Sequence, residues 1–269
     1  MTIEEPLKTG SDKATVNKYM PRQKIEEVEM PFLDHLEELR WRIIRALVSV
    51  VAFTIIAFFF SDYLLELLLY STKNLNQPIN LQVLKVQAVF IIKLELALIA
   101  GIIFSLPYIF YQIWSFVAPG LLEKERRYVV PVILFATLSF LTGSAFAYFV
   151  IIPFALDFFL SLAPPNVTNN IALDFYFGFM VRIIMVFGIV FELPVISLFL
   201  TKLGILTPRI LKKYRRYAIV TFFVMAAILT PPDPTTQMLL AIPLIILYEV
   251  TIWISYFFQK KKEEEPQEA

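Results

Sequence analysis

Apolar residues run along this chain in long unbroken stretches. They show neither the alternation of a half-buried strand nor the one-sided stripe of a surface helix. A hydrocarbon layer of about 30 Å needs roughly 20 helical residues to cross it. Six stretches are candidates: Trp41 to Phe60, Ala88 to Trp114, Tyr128 to Ile152, Phe175 to Leu200, Tyr217 to Leu229 and Met238 to Phe258. The fifth would rise only about 20 Å at helical pitch. The pattern predicts an all-α, polytopic membrane protein of six transmembrane helices, with short fifth and sixth helices. No internal repeat is evident, which argues against the inverted-repeat architecture of many transporters.

Charge orients the spans. Lys and Arg concentrate in the loops that stay on the cytoplasmic side. Arg40, Arg42 and Arg45 flank the first span, and Lys124, Arg126 and Arg127 follow the second. Lys202, Arg209, Lys212, Lys213, Arg215 and Arg216 follow the fourth, and Lys260 to Lys262 follow the last. The stretches Pro153 to Asp174 and Thr230 to Gln237 carry none. Both termini are therefore predicted to be cytoplasmic, as an even number of spans requires. Residues 1–30 read as a flexible cytoplasmic tail, 31–258 as the membrane domain, and 259–269 as a charged cytoplasmic tail.

Composition agrees. Of 269 residues, 58% are hydrophobic and only 17% charged, and mean hydropathy is +0.69. Soluble domains are closer to a quarter charged. There are no cysteines and one histidine, His35. Thiol chemistry, disulfides and Cys-based metal sites are excluded, and most His-based schemes with them. Neither a catalytic residue, a metal site nor a cofactor is expected, and nucleic acid is not an expected partner. The chain reads as not an enzyme. An intramembrane protease would need a Ser-His pair, two aspartates within spans or a zinc motif, and the sequence has none of these.

Ionisable residues inside apolar stretches are costly and mark functional positions or structural pairs. Glu192, in Gly-Ile-Val-Phe-Glu-Leu-Pro, is the foremost. Pro194 removes a backbone donor two residues on and can bend the helix, leaving a polar pit in an apolar wall. A hydrogen bond between helices is the structural alternative. Arg182 lies ten residues earlier, off the same face, and is expected to snorkel to the extracytoplasmic surface. Glu249 suits either a packing bond or a function. Lys93 and Glu95 are expected near the interface. In MPFLDHLEELRWRIIR, apolar residues recur at helical spacing, and Glu38 can pair with Arg42 one turn on. In SFVAPGLLEKERRYVVP, Glu123 to Arg127 read either as a solvated helix start or as a carboxylate site for a guanidinium. In ILTPPDPTTQ, Asp233 or Thr235 can cap the sixth helix.

Together these segments resemble the TatC family, the polytopic core of the twin-arginine protein translocase. The resemblance rests on HLEELRWR (His35 to Arg42), YQIWSFVAPGL (Tyr111 to Leu121), KERR (Lys124 to Arg127), AFAYFVIIPFAL (Ala145 to Leu156), FGIVFELPV (Phe187 to Val195), and LTPPD with Gln237. It implies a receptor and scaffold that binds twin-arginine signal peptides of folded precursors. It also implies assembly with TatA-like and TatB-like single-span subunits, self-association in a larger complex, and export driven by the proton motive force across the cytoplasmic (inner) membrane. Carried over, Glu38 and Glu125 are the acids of the signal-peptide site, supported by Arg40. Glu192 is the intramembrane glutamate facing a concave pocket, and Asp233 with Gln237 serve structure or partner docking on the outer side. The chain departs from the family pattern at Lys124, where His is frequent, and in its first extracytoplasmic loop, which lacks two frequent prolines. The rival reading is a proton-coupled secondary transporter of a small solute using Glu192.

Overall fold

The computed structural model describes residues 32–70, 79–120, 126, 129–164, 168–230 and 233–264. The predicted tail 1–30, Glu125 and residues 265–269 lie outside them. The chain divides into two units, Met1–Glu37 and Glu38–Ala269. In the first, the described residues 32–37 are helical.

The described residues are mostly helical. In chain order the helices are α1 (Phe32–Phe59), α2 (Ser61–Tyr70), α3 (Ala88–Val117), α4 (Val129–Phe146), α5 (Ile152–Ser161), α6 (Leu173–Val190), α7 (Glu192–Leu203), α8 (Pro208–Leu229) and α9 (Pro234–Glu264). A π-helical turn, Ala147–Ile151, joins α4 to α5. Its cause is visible in the sequence: Pro153 offers no N–H, and Ile152 N–H reaches back to the Ala147 carbonyl. α4, the turn and α5 thus form one continuous rod.

Among the described residues, five helical stretches are long and apolar enough to cross a membrane: Asp34–Phe59, Ala88–Gly120, Val129–Ser161, Leu173–Leu203 and Pro234–Gln259. The fifth predicted segment is not among them. Its helix, α8, has 22 residues, but the first half carries Lys212, Lys213, Arg215 and Arg216, so only the stretch from Tyr217 on is apolar. The expectation of a short sixth helix is corrected. α9 has 31 residues and runs on into the segment predicted as a charged tail. Lys and Glu are good helix formers, and no proline interrupts them before Pro266.

The outer faces are apolar, as a lipid-facing surface requires. On α1, Leu47, Val48, Val51, Ile55 and Ile56 are all more than half exposed. Such a surface is far larger than a water-soluble monomer shows. α1 meets α3 through small residues. Ala57, Ala97 and Ala100 form one buried cluster. A Cβ on Gly101 would lie 2.7 Å from the Thr54 backbone nitrogen. Small residues let backbones approach where lipid supplies no hydrophobic drive.

The main core joins α3, the π turn, α5, α6, α8 and α9, with Ile92, Ile152, Phe177, Met180, Phe187 and Leu240 almost wholly buried. α7 ends at Gly204, which takes the left-handed conformation (φ 81°) and lets Ile205 N–H bond back to the Leu200 carbonyl. Thr207 then caps α8 through Ile210 N–H, with Pro208 as its first residue.

The connections at the opposite end carry a feature that periodicity could not reveal. The segment before α3 and the segment before α6 pair as parallel strands, β1 (Asn80–Gln82) and β2 (Asn170–Ala172). The pairing ties the last residues of the connection before α6 to those before α3, in register Asn80–Asn170, Leu81–Ile171 and Gln82–Ala172.

Candidate functional site

Glu192 opens α7, one residue after α6 has ended. Phe191 between them still donates its N–H to the Phe187 carbonyl at 2.9 Å, and the regular pattern lapses one step later. The reason is Pro194, which cannot donate to the Val190 carbonyl. The hydroxyl of Ser139 on α4 donates to the Phe191 carbonyl at 2.5 Å. α4 can come this close because a glycine stands on each side of the contact, Gly143 on α4 and Gly188 on α6. A Cβ on Gly143 would lie 2.7 Å from Phe191 Cβ, and one on Gly188 would lie 2.6 Å from the Phe140 ring.

The Glu192 side chain is buried, at 6% exposure, and lies against the backbone of Phe140. Its Oε1 has no hydrogen-bond partner among the described residues. The acid therefore faces the helix bundle and not hydrocarbon. An unsatisfied carboxyl oxygen at membrane depth is a costly arrangement. It is a place where an incoming hydrogen-bond donor gains more than it would in water. Two residues on, Pro194 and Val195 begin the wall of an apolar cleft of about 390 Å³, closed by Val132 and Phe135 of α4 and by Ile254 and Phe258 of α9. Glu192 itself does not line that cleft.

At the end where α3 finishes, the Trp114 ring packs edge-on against Phe199 of α7, with centroids 4.0 Å apart. The chain then makes a 3₁₀ turn, Ala118–Gly120. Arg126 Nε donates to the Ala118 carbonyl at 3.2 Å, tying the far side of the loop back to this turn. Glu125 lies outside the described residues. On α1, Arg42 Nε donates to Glu38 Oε1 at 2.8 Å, so the predicted one-turn pair is formed. Arg40 is exposed on the same helix.

The remaining polar residues sort by partner. Asp233 caps α9, its Oδ2 accepting from Thr236 N–H at 3.0 Å. Gln237 Nε2 donates to the Phe223 carbonyl of α8 at 2.8 Å. Glu249 meets Arg215 Nε at 2.5 Å. That pair was not foreseen, yet the numbering contains it. Arg215 lies 14 residues before the end of α8 and Glu249 15 residues after the start of α9. An antiparallel hairpin brings such positions together. Arg182 Nε donates to the Gly178 carbonyl at 2.7 Å, so its side chain leans toward the start of α6, the direction predicted for snorkelling. Lys93 pairs with Asp62 at 2.6 Å and Lys85 with Asp174 at 2.7 Å. Among the described residues no cluster of His, Cys, Asp and Glu could hold a metal ion.

Comparison with known proteins decides what this arrangement belongs to. The family model described as Sec-independent protein translocase protein (TatC) matches residues 34–243. This chain belongs to the TatC family. The Desulforapulum autotrophicum TatC is 38% identical over 91% of this chain and 91% of its own. The Aquifex aeolicus TatC is 38% identical over 87% of this chain and 98% of its own. The crystal structure of the twin-arginine translocase receptor TatC superimposes with a TM-score of 0.77 at 36% identity, covering 83% of this chain and 99% of that one. The TatC match takes in Glu38, Glu192, Asp233 and Gln237 and stops before Glu249. The TatC resemblance read from the motifs therefore holds for most of the chain.

Proposed function

We propose that this chain is the receptor and scaffold subunit of a twin-arginine translocase. In this reading it crosses the cytoplasmic (inner) membrane six times with both termini inside, α8 providing the short fifth span beside α9. It binds the paired arginines of signal peptides on folded precursors and assembles with TatA-like and TatB-like single-span subunits and with further copies of itself. The proton motive force drives export.

The observation that carries this reading is the likeness to the solved twin-arginine translocase receptor, which extends over 83% of this chain. The chemistry is compatible. Guanidinium groups seek carboxylates, with charge-assisted and often bidentate bonds. Glu38 and Glu125 lie in the two basic cytoplasmic motifs, where a doubly cationic peptide needs acids to hold it, and Arg40 supports that face. Glu192 then serves a later step, seating the signal peptide or a partner helix within the membrane. Asp233 and Gln237, which fix the α8–α9 hairpin, shape the outer side where a partner helix docks. The rival reading, a proton-coupled small-solute transporter, draws no support from any relative found.

The test is binding of a twin-arginine peptide to the purified chain and to Glu38→Ala and Glu125→Ala. Each variant is expected to lose affinity about tenfold or more, the worth of a charge-assisted bond. Parent-like binding by both removes the assignment of these acids.

A further inference from the structure

Several charged side chains have no part in the translocase reading, and two of them share an unusual setting. Glu95 on α3 and Arg182 on α6 both lie within membrane-spanning stretches, and both are exposed on the outside of the helices. Charged groups at such depth normally face the bundle interior or each other. These do neither, for no ion pair joins them, and Glu95 has no hydrogen-bond or ion-pair partner among the described residues. Arg182 spends only Nε, on the Gly178 carbonyl, and its two terminal nitrogens have no partner among the described residues. Gly178 leaves room for the guanidinium: a Cβ there would come within 3.2 Å of it.

Both residues line one recess of about 490 Å³ between α3 and α6. At its mouth stands the Lys85–Asp174 ion pair, already satisfied. Seven residues separate Ala88 from Glu95 and eight separate Asp174 from Arg182, so their backbones sit about 10 and 12 Å below the mouth by helical rise, and the Arg182 guanidinium leans back up to the level of Gly178. Arg182 and Phe175 also line a second recess of about 410 Å³, whose other walls include Phe159, Phe179 and Ile228. A mixed-charge recess thus adjoins an apolar one, and Arg182 belongs to both.

We propose that these two recesses form a binding site for one phospholipid with a zwitterionic, ammonium-bearing headgroup. The lipid phosphate accepts from the terminal nitrogens of Arg182. The headgroup ammonium donates to the Glu95 carboxylate. An acyl chain lies along Phe159, Phe179 and Ile228. The lipid belongs to the leaflet on the side of the β1–β2 pair. A purely anionic headgroup would satisfy Arg182 but repel Glu95. A choline headgroup carries a positive charge but no N–H for Glu95. The ligand class is therefore phosphatidylethanolamine, and the inference stands apart from signal-peptide recognition.

The test is native mass spectrometry of the full chain, titrated with phosphatidylethanolamine, phosphatidylcholine and phosphatidylglycerol of identical acyl chains. The parent is expected to retain the ethanolamine lipid about tenfold better than the other two, the worth of one charge-assisted bond. Arg182→Gln and Glu95→Gln should each abolish the preference, and Lys213→Gln, away from the recess, should keep it. Equal retention of the three lipids by the parent overturns the proposal without any variant. So does an undiminished preference in both Arg182→Gln and Glu95→Gln. Displacement of the lipid by millimolar inorganic phosphate also overturns it, since that identifies a simple anion site.

Discussion

The hydroxyl of Ser139 donates to the carbonyl of Phe191, the residue that separates α6 from α7. This bond ties α4 to the point where Pro194 interrupts the fourth apolar stretch. It fixes the place from which Glu192 enters the bundle. Removing it should loosen the break. Ser139→Ala leaves a carbonyl without its partner and is expected to destabilise the chain by about 1–3 kcal/mol. Thermal unfolding in detergent reads this directly, and an unchanged midpoint would show that the bond has no structural weight.

The glycines beside that bond are a sharper case. Gly188→Ala would place a methyl group 2.6 Å from the Phe140 ring. Overpacking of this kind costs about 1–3 kcal/mol. The same substitution at Gly120, where no described residue lies within 4 Å of an added Cβ, should change stability little. Comparing the two unfolding midpoints tests whether close α4–α6 contact is what places Glu192.

At Glu192 the question is charge against hydrogen bonding. Glu192→Gln keeps an acceptor and a similar shape, whereas Glu192→Leu keeps neither polarity nor bonding. If the site needs a hydrogen bond inside the bundle, export of a reporter precursor should survive in Glu192→Gln and fall in Glu192→Leu. Normal export by Glu192→Leu would remove this residue from the mechanism.

Glu38 is held by its own helix. Arg42 occupies one carboxylate oxygen, so an incoming guanidinium competes with it. An intrahelical pair of this type is worth about 0.3–0.5 kcal/mol. Arg42→Gln should therefore raise affinity for a twin-arginine peptide about twofold. Glu38→Ala should lower it. A fall in affinity for Arg42→Gln would mean that Arg42 holds Glu38 in its binding posture.

The Arg215–Glu249 pair is half exposed, at 54% and 29%. A pair of that exposure contributes at most about 1 kcal/mol. A double-mutant cycle with Arg215→Gln and Glu249→Gln should return a coupling within that limit. A coupling of several kcal/mol would mean that the pair is shielded by lipid far more than its exposure suggests.

Five of the six apolar stretches coincide, over their described residues and to within one position, with helices long and apolar enough to span, because an apolar run of this length has few other stable forms in lipid. The cap at Asp233, the break after Phe191 and the pairing of Glu38 with Arg42 were also legible. Each depends on residues a few positions apart. The extent of α9 was misread because apolarity marks where a helix meets lipid and not where its hydrogen bonding ends. Lys260 to Glu264 continue a helix whose apolar part has already stopped. The acid Glu125, legible only through its motif, lies outside the described residues.

The sequence by itself determined a helical membrane chain, its family and the acids worth attention, since composition, periodicity and motifs are local properties. Tertiary structure alone decided which charges find partners on other helices. Glu249 found Arg215 across a hairpin, Glu192 turned into the bundle beside Phe140, and Glu95 and Arg182 came to share one recess unpaired. Those outcomes depend on how neighbouring helices are rotated and how closely they approach. Contacts at many positions set both, and no single stretch of sequence encodes them.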